Sequence, residues 1–148
     1  MAGVKFELTY SALKMFGKQL YSNVGSAISE LVANGLDAKA ENIYLTIDIR
    51  NKKQAYVEIY DDGKGMSSDD ITDHYVKIGY NKRRNEVGLD DGKTMGRKGI
   101  GKLAALYLSD CFSIATKTAT SELSYWKLDV SKLTDDETPE IENVSNDD

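Results

Sequence analysis

Apolar residues recur at helical spacing twice near the N-terminus and at strand spacing four times further on. Residues 11–20 predict a first helix, and Val24 to Asp37 predict a second. In the second helix Val24, Ile28, Leu31 and Val32 share an apolar side, while Glu30, Asn34 and Asp37 stand at i, i+4 and i+7 on the opposite side. Strict alternation follows from Asn42 to Arg50, with Ile43, Leu45, Ile47 and Ile49 facing one way, which predicts a half-buried strand. Ala55, Val57 and Ile59 alternate with Tyr56, Glu58 and Tyr60, so the two runs predict a hairpin ending at Asp61. Ser67 is placed to cap a short helix whose first turn holds Asp69 and Asp70 and which fades near Ile78. Gly99 to Leu108 is helix-prone, and Cys111 to Thr118 and Leu123 to Val130 read as an antiparallel pair. Between the hairpin and that helix, residues 79–98 have little periodicity; so long an irregular stretch in a small domain predicts a functional lid.

Length and composition narrow the class. A chain of 148 residues with 41% hydrophobic content has room for one domain with a core. No apolar run is long enough to span a bilayer and no secretory signal opens the chain, so a cytoplasmic protein without membrane contact is expected. The single cysteine, Cys111, lies in an apolar stretch and predicts a buried, unreactive thiol. The net charge of −5 argues against general coating of nucleic acid. Yet Lys77 to Lys102 holds eight Lys or Arg against Glu86, Asp90 and Asp91, a local +5 suited to a polyanion. Thr134 to Asp148 carries seven acids, the only proline and no basic residue, which predicts a solvated tail or the start of a linker over 133–148.

Three segments carry chemistry. In ELVANGLDA, Glu30 to Ala38, a carboxylate stands one helical turn from a carboxamide. A carboxylate there can take a proton from water, and an amide oxygen suits Mg²⁺, although a solvated helix face explains the same residues when they are taken alone. In DDGKGM, Asp61 ends a strand where its carboxylate can accept from an amino group such as adenine's, Gly63 and Gly65 let backbone approach a ligand, and Met66 offers a polarizable contact. An ordinary Asp/Gly turn is the plain alternative. In MGRKGIGKLAAL, Met95 to Leu106, glycines open a helix whose free N–H groups can bind phosphate, with Lys98 and Lys102 beside them. Gly96, Gly101 and Lys102 fit a P-loop until Leu103 stands where Ser or Thr must hold the metal, and no buried strand precedes them.

In order and content these segments resemble the N-box and the two glycine boxes of the GHKL, or Bergerat-fold, ATPases, the group of gyrase B, the heat-shock chaperones, MutL and MORC. The resemblance implies an α+β fold: a two-layer α/β sandwich with a mixed, mostly antiparallel sheet, helices packed on one face and a long ATP lid over 79–98. It makes 1–132 the ATP-binding domain of a longer protein. It implies Mg²⁺ and ATP as cofactors, Glu30 as general base, Asn34 as metal ligand and Asp61 as adenine reader. Gly65 with Met66 would floor the base, Gly63 would bind the nucleotide in the same turn, and Asp37 and Ala38 would line the pocket. Gly96, Lys98, Gly99, Ile100, Gly101 and Lys102 would wrap the phosphates, with Gly79 and Lys82 at the lid entry. The implied activity is Mg²⁺-dependent ATP hydrolysis driving conformational change in a homodimer, with a client protein or nucleic acid as further partner. The alternative is an ATP-dependent dimerisation or docking switch with little turnover. A histidine-kinase catalytic domain fits less well, since that branch usually lacks the Asp37-Ala38 pair, and the lone histidine, His74, reads as an ordinary surface or helix-end residue.

Overall fold

A computed structural model describes residues 8–77 and 103–144. Helix α1 (Tyr10–Leu20) buries Tyr10, Leu13 and Gly17. Helix α2 (Val24–Asp37) begins at Asn23, whose side-chain oxygen accepts the Ser26 N–H at 2.9 Å and so satisfies one of the first-turn donors. Strands β1 (Ile43–Asp48) and β2 (Tyr56–Asp61) pair antiparallel, with Ile43 opposite Asp61 and Ile47 opposite Val57. Ser67 caps α3 (Ser68–Asp70) in a reciprocal capping box with Asp70, and the chain then widens into one π turn, Ile71–Tyr75. Helix α4 (Leu103–Leu108) leads into β3 (Cys111–Thr116), which pairs antiparallel with β4 (Ser124–Asp129).

Both α1 and α2 pack on α4. One core cluster joins Leu13, Tyr21, Ala27, Leu103 and Ala104; a second joins Tyr10 to Leu128 and Val130, pressing the start of α1 onto the sheet. Ile71, Leu103 and Val130 are the largest fully enclosed side chains, and burial of each contributes roughly 1.5–3 kcal/mol. The α+β class and the helix-on-sheet layering agree with the sequence reading. Among the described residues every strand pairing is antiparallel and the strands fall into two sheets, β1-β2 and β3-β4-β5, the last strand being Glu142–Val144.

Four local expectations are corrected. The acidic segment after Thr134 is built into the fold as far as Val144: the Tyr10 and Ser11 N–H groups donate to the Glu137 and Asp135 carbonyls, Ile141 packs on the second cluster, and β5 (Glu142–Val144) adds to β4. Its backbone pairing overrides its polar composition. The β1-β2 hairpin is less covered than its alternation suggested, with Leu45 44% and Ile47 52% exposed, because α2 reaches only its Ile43 end. On α2 the buried positions are Ala27, Ala33 and Gly35, while Val24 is exposed; small residues let the helix approach its neighbours closely. Cys111 opens β3 on the outward-facing register and is an exposed thiol.

Candidate functional site

The C-terminal half of α2 and the turn after β2 meet through contacts that only glycine allows. A Cβ on Gly35 would lie 2.9 Å from Ile43 Cδ1 and 3.1 Å from Asp61 Cβ, so its absence seats the helix on the hairpin beside Asp61. A Cβ on Gly63 would meet Ala38 Cβ at 2.7 Å. The helix ends where the Ala38 N–H donates to the Asn34 carbonyl at 2.9 Å, and Lys39 turns the chain with φ of 63°. The Lys64 N–H then donates to the Ala38 carbonyl at 2.9 Å, tying the glycine turn to the helix end. Thus Asn34, Asp37, Ala38, Asp61 and Gly63 belong to one locality. Asn34 is exposed, and Glu30, one turn back on the same helix, is half-buried.

The turn is sealed on its other side by β3. Gly65 has φ of +66°, and a Cβ there would sit 1.8 Å from the Lys117 carbonyl oxygen. Beside it the Met66 N–H donates to Thr116 Oγ1 at 2.9 Å. Thr116 is buried, and its carbonyl accepts from Ser124 Oγ at 3.3 Å, which in turn accepts from Trp126 Nε1 at 3.0 Å. The sequence reading passed over Thr116. Its signal was a hydroxyl in register with Phe112 and Ile114 on the inward face of β3, where a polar group needs a partner.

Electrostatics sharpen two positions. Burial, and then the negative charge of Glu30, push the hydroxyl of the core Tyr21, whose ring lies 5.6 Å from that of Tyr107, up to about 12. Hydrogen bonds from the Asn42 backbone and side chain hold Asp62 below the usual aspartate range. Among the described residues no group of three or more His, Cys, Asp or Glu side chains could hold a metal by itself. An apolar cavity of about 440 Å³, lined by Leu13, Leu103, Leu106, Phe112 and Leu128 among others, contains none of the predicted site residues.

Gly79, Lys82, Gly96, Lys98, Gly99, Ile100, Gly101 and Lys102, with the lid over 79–98, lie outside the described residues. Leu103, the first residue of α4, is 2% exposed, so the helix that follows the second glycine segment is anchored in the core.

Residues 21–148 match the model of a family described as histidine kinase-, DNA gyrase B-, and HSP90-like ATPase. Among similar proteins, one of Herpetosiphon aurantiacus named a putative type II restriction enzyme, HgiDII, is 36% identical over 107 residues, 70% of this chain and 17% of its own. The DNA mismatch repair protein MutL of Clostridium tetani is 35% identical over 74 residues, 50% of this chain and 12% of its own. MutL of Bacteroides fragilis is 33% identical over 98 residues, 66% of this chain and 15% of its own. The matched region thus spans under a fifth of each of these relatives. No helix among the described residues is long and apolar enough to cross a membrane.

Proposed function

Because the chain belongs to the family of histidine kinase-, DNA gyrase B- and HSP90-like ATPases, we propose that the site between α2, the Asp61–Met66 turn and β3 binds ATP with Mg²⁺ and supports its hydrolysis. The observation that carries this reading is the position of Asp61, at the end of β2, between a helix seated through Gly35 and a turn sealed on β3 through Gly65 and Met66. A carboxylate so placed accepts from the exocyclic amine of adenine, with Gly63, Gly65 and Met66 beneath the ring and Asp37 and Ala38 along its edge. Asp61 Oδ1 already accepts the Gly63 N–H at 3.0 Å, which orients the carboxylate.

Asn34 would present its amide oxygen to Mg²⁺, which when bound neutralises phosphate charge. Glu30 takes the proton of a water whose oxygen attacks the γ-phosphorus in line; the bond to the β,γ-bridging oxygen breaks and ADP leaves with inorganic phosphate as the other product. Gly79, Lys82 and the segment Gly96 to Lys102 complete the phosphate end. In a protein of its relatives' length, ATP-driven closure, dimerisation and engagement of a client or nucleic acid are the outputs of this site. A switch with slow turnover differs only in how far Glu30 is engaged.

Thermal shift tests the reading. Saturation with Mg²⁺-ATP near a hundredfold over Kd is expected to stabilise the protein by about 2.7 kcal/mol. Asp61→Asn, which presents an amide nitrogen to the amine, should abolish most of that shift. No stabilisation of the wild type, or equal shifts in both proteins, would overturn the site.

A further inference from the structure

Asp62 stands next to the proposed base reader, yet its carboxylate points into the junction between α2 and β1. Oδ1 accepts the Glu41 N–H at 2.8 Å and the Asn42 N–H at 2.9 Å, and Oδ2 accepts Asn42 Nδ2 at 2.8 Å. The three short bonds reach residues 21 and 20 positions back in the chain, so they fasten two separate segments together instead of capping a local turn. The residues they fasten, Glu41 and Asn42, lie three and four positions after Ala38, at the helix end that carries Asn34, Asp37 and Ala38. The glycine turn is therefore held to the α2–β1 connection twice, by Asp62 on one side of Gly63 and by the Lys64 N–H on Ala38 on the other. The backbone bond from the Asp62 N–H to the Asn42 carbonyl, at 3.3 Å, is long and fixes direction weakly.

We propose that Asp62 is a positioning residue for adenine recognition: its three-bond clamp on Glu41 and Asn42 sets the angle at which the adjacent Asp61 carboxylate meets the base. This rests on the ATP-site reading above. Loss of the clamp frees the turn between Asp61 and Gly63 to rotate, and a misaimed acceptor no longer distinguishes the adenine amine from the guanine carbonyl. The effect therefore falls on base selectivity as well as on affinity, whereas a purely structural loss lowers the binding of both nucleotides alike.

The experiment measures Kd for ATP and for GTP, each with Mg²⁺, on folded wild type, Asp62→Ala, Asp62→Asn and Asn42→Ala, with Asp61→Asn as reference. Asp62→Ala is expected to weaken ATP binding about tenfold, the loss of one well-aimed hydrogen bond, and to lower the preference for ATP over GTP by a similar factor. Asp62→Asn should restore only part of both, since its one amide oxygen still accepts from the Glu41 and Asn42 N–H groups while its NH2 faces the Asn42 Nδ2 donor and loses the third bond. Where Asp62→Ala fails to fold, Asn42→Ala decides, because it removes the Oδ2 bond alone and should lower the preference in the same direction. A wild-type ATP preference in folded Asp62→Ala or Asn42→Ala, or equal weakening toward ATP and GTP, overturns the clamp and leaves the site standing. A wild type that binds ATP no better than Asp61→Asn overturns the site and the clamp with it.

Discussion

Among the described residues, Gly65 is the position at which the backbone tolerates a side chain least. In Gly65→Ala the new Cβ would fall 1.8 Å from the Lys117 carbonyl oxygen and 2.7 Å from its carbon, against an ordinary contact that begins at 3.4 Å. The turn and β3 must separate by about 1.6 Å, the difference between those distances, and the obstacle is backbone that cannot rotate aside. Alanine at φ of +66° adds roughly 1–2 kcal/mol of its own. Separation also breaks the Met66 N–H bond to Thr116, which costs about 1 kcal/mol if water replaces the partner and up to roughly 3 kcal/mol if the Thr116 hydroxyl stays buried and unpaired. Together these give about 2–5 kcal/mol, or a fall in Tm of roughly 6–17 °C for a domain of this size. Thermal and urea unfolding followed by far-ultraviolet circular dichroism measures it. Gly17→Ala is the control: on the α1 helix nothing described lies within 4 Å of the added Cβ, and the change should stabilise by about 0.5–1 kcal/mol. A Gly65→Ala protein within about 1 kcal/mol of wild type would refute the reasoning, since the turn would then not be locked to β3.

Other expectations follow from the same contacts. Glu30→Ala should keep ATP affinity within about threefold yet lower turnover by roughly a hundredfold or more, measured as phosphate release by a version of the protein that hydrolyses ATP; unchanged turnover would remove Glu30 from the mechanism. Asp70 lies below the usual aspartate range, first through its bonds from the Ser67 backbone and hydroxyl and then through the charges of His74 and Lys64. A carboxylate depressed in the folded state contributes stability that is complete above the ordinary value of 3.8 and is lost as pH falls through it toward the lower folded value. Tm should therefore fall more steeply below about pH 4 in wild type than in Asp70→Asn, and parallel curves would show that the capping box carries no such linkage. At neutral pH Ser67→Ala should cost about 1 kcal/mol in urea titration, as loss of an N-cap does.

The second helix, the hairpin and the β3-β4 pair were legible because their apolar periods are regular, and local periodicity is what a single chain displays. The seat of α2 was not, since burial of Ala27, Ala33 and Gly35 depends on how closely α4 and β1 approach, and small residues leave little mark on a hydrophobic pattern. Glu142 to Val144 reads as polar tail until β4 is there to pair with it; a ladder of backbone bonds asks little of side chains. At the site, the segments around Asn34 and Asp61 announced themselves by chemistry at fixed spacing. Thr116 did not, because it is 50 residues away from Met66 in the chain and one hydroxyl on a strand is common. Asp62 was read only as the second letter of a glycine turn, since its partners Glu41 and Asn42 are fixed by the return of β2 along β1.

The hydrogen-bonded line from Met66 through Thr116 and Ser124 ends on Trp126, 6% exposed and the only tryptophan of the chain. An indole whose N–H is committed to a serine shifts its emission when that serine is pulled, and no second fluorophore of its kind dilutes the signal. Light absorbed by this ring therefore reports on the Asp61–Met66 turn, the proposed floor beneath the base. Occupancy by adenosine alone should already move its emission, so the base end of the proposed pocket becomes observable in an unlabelled protein.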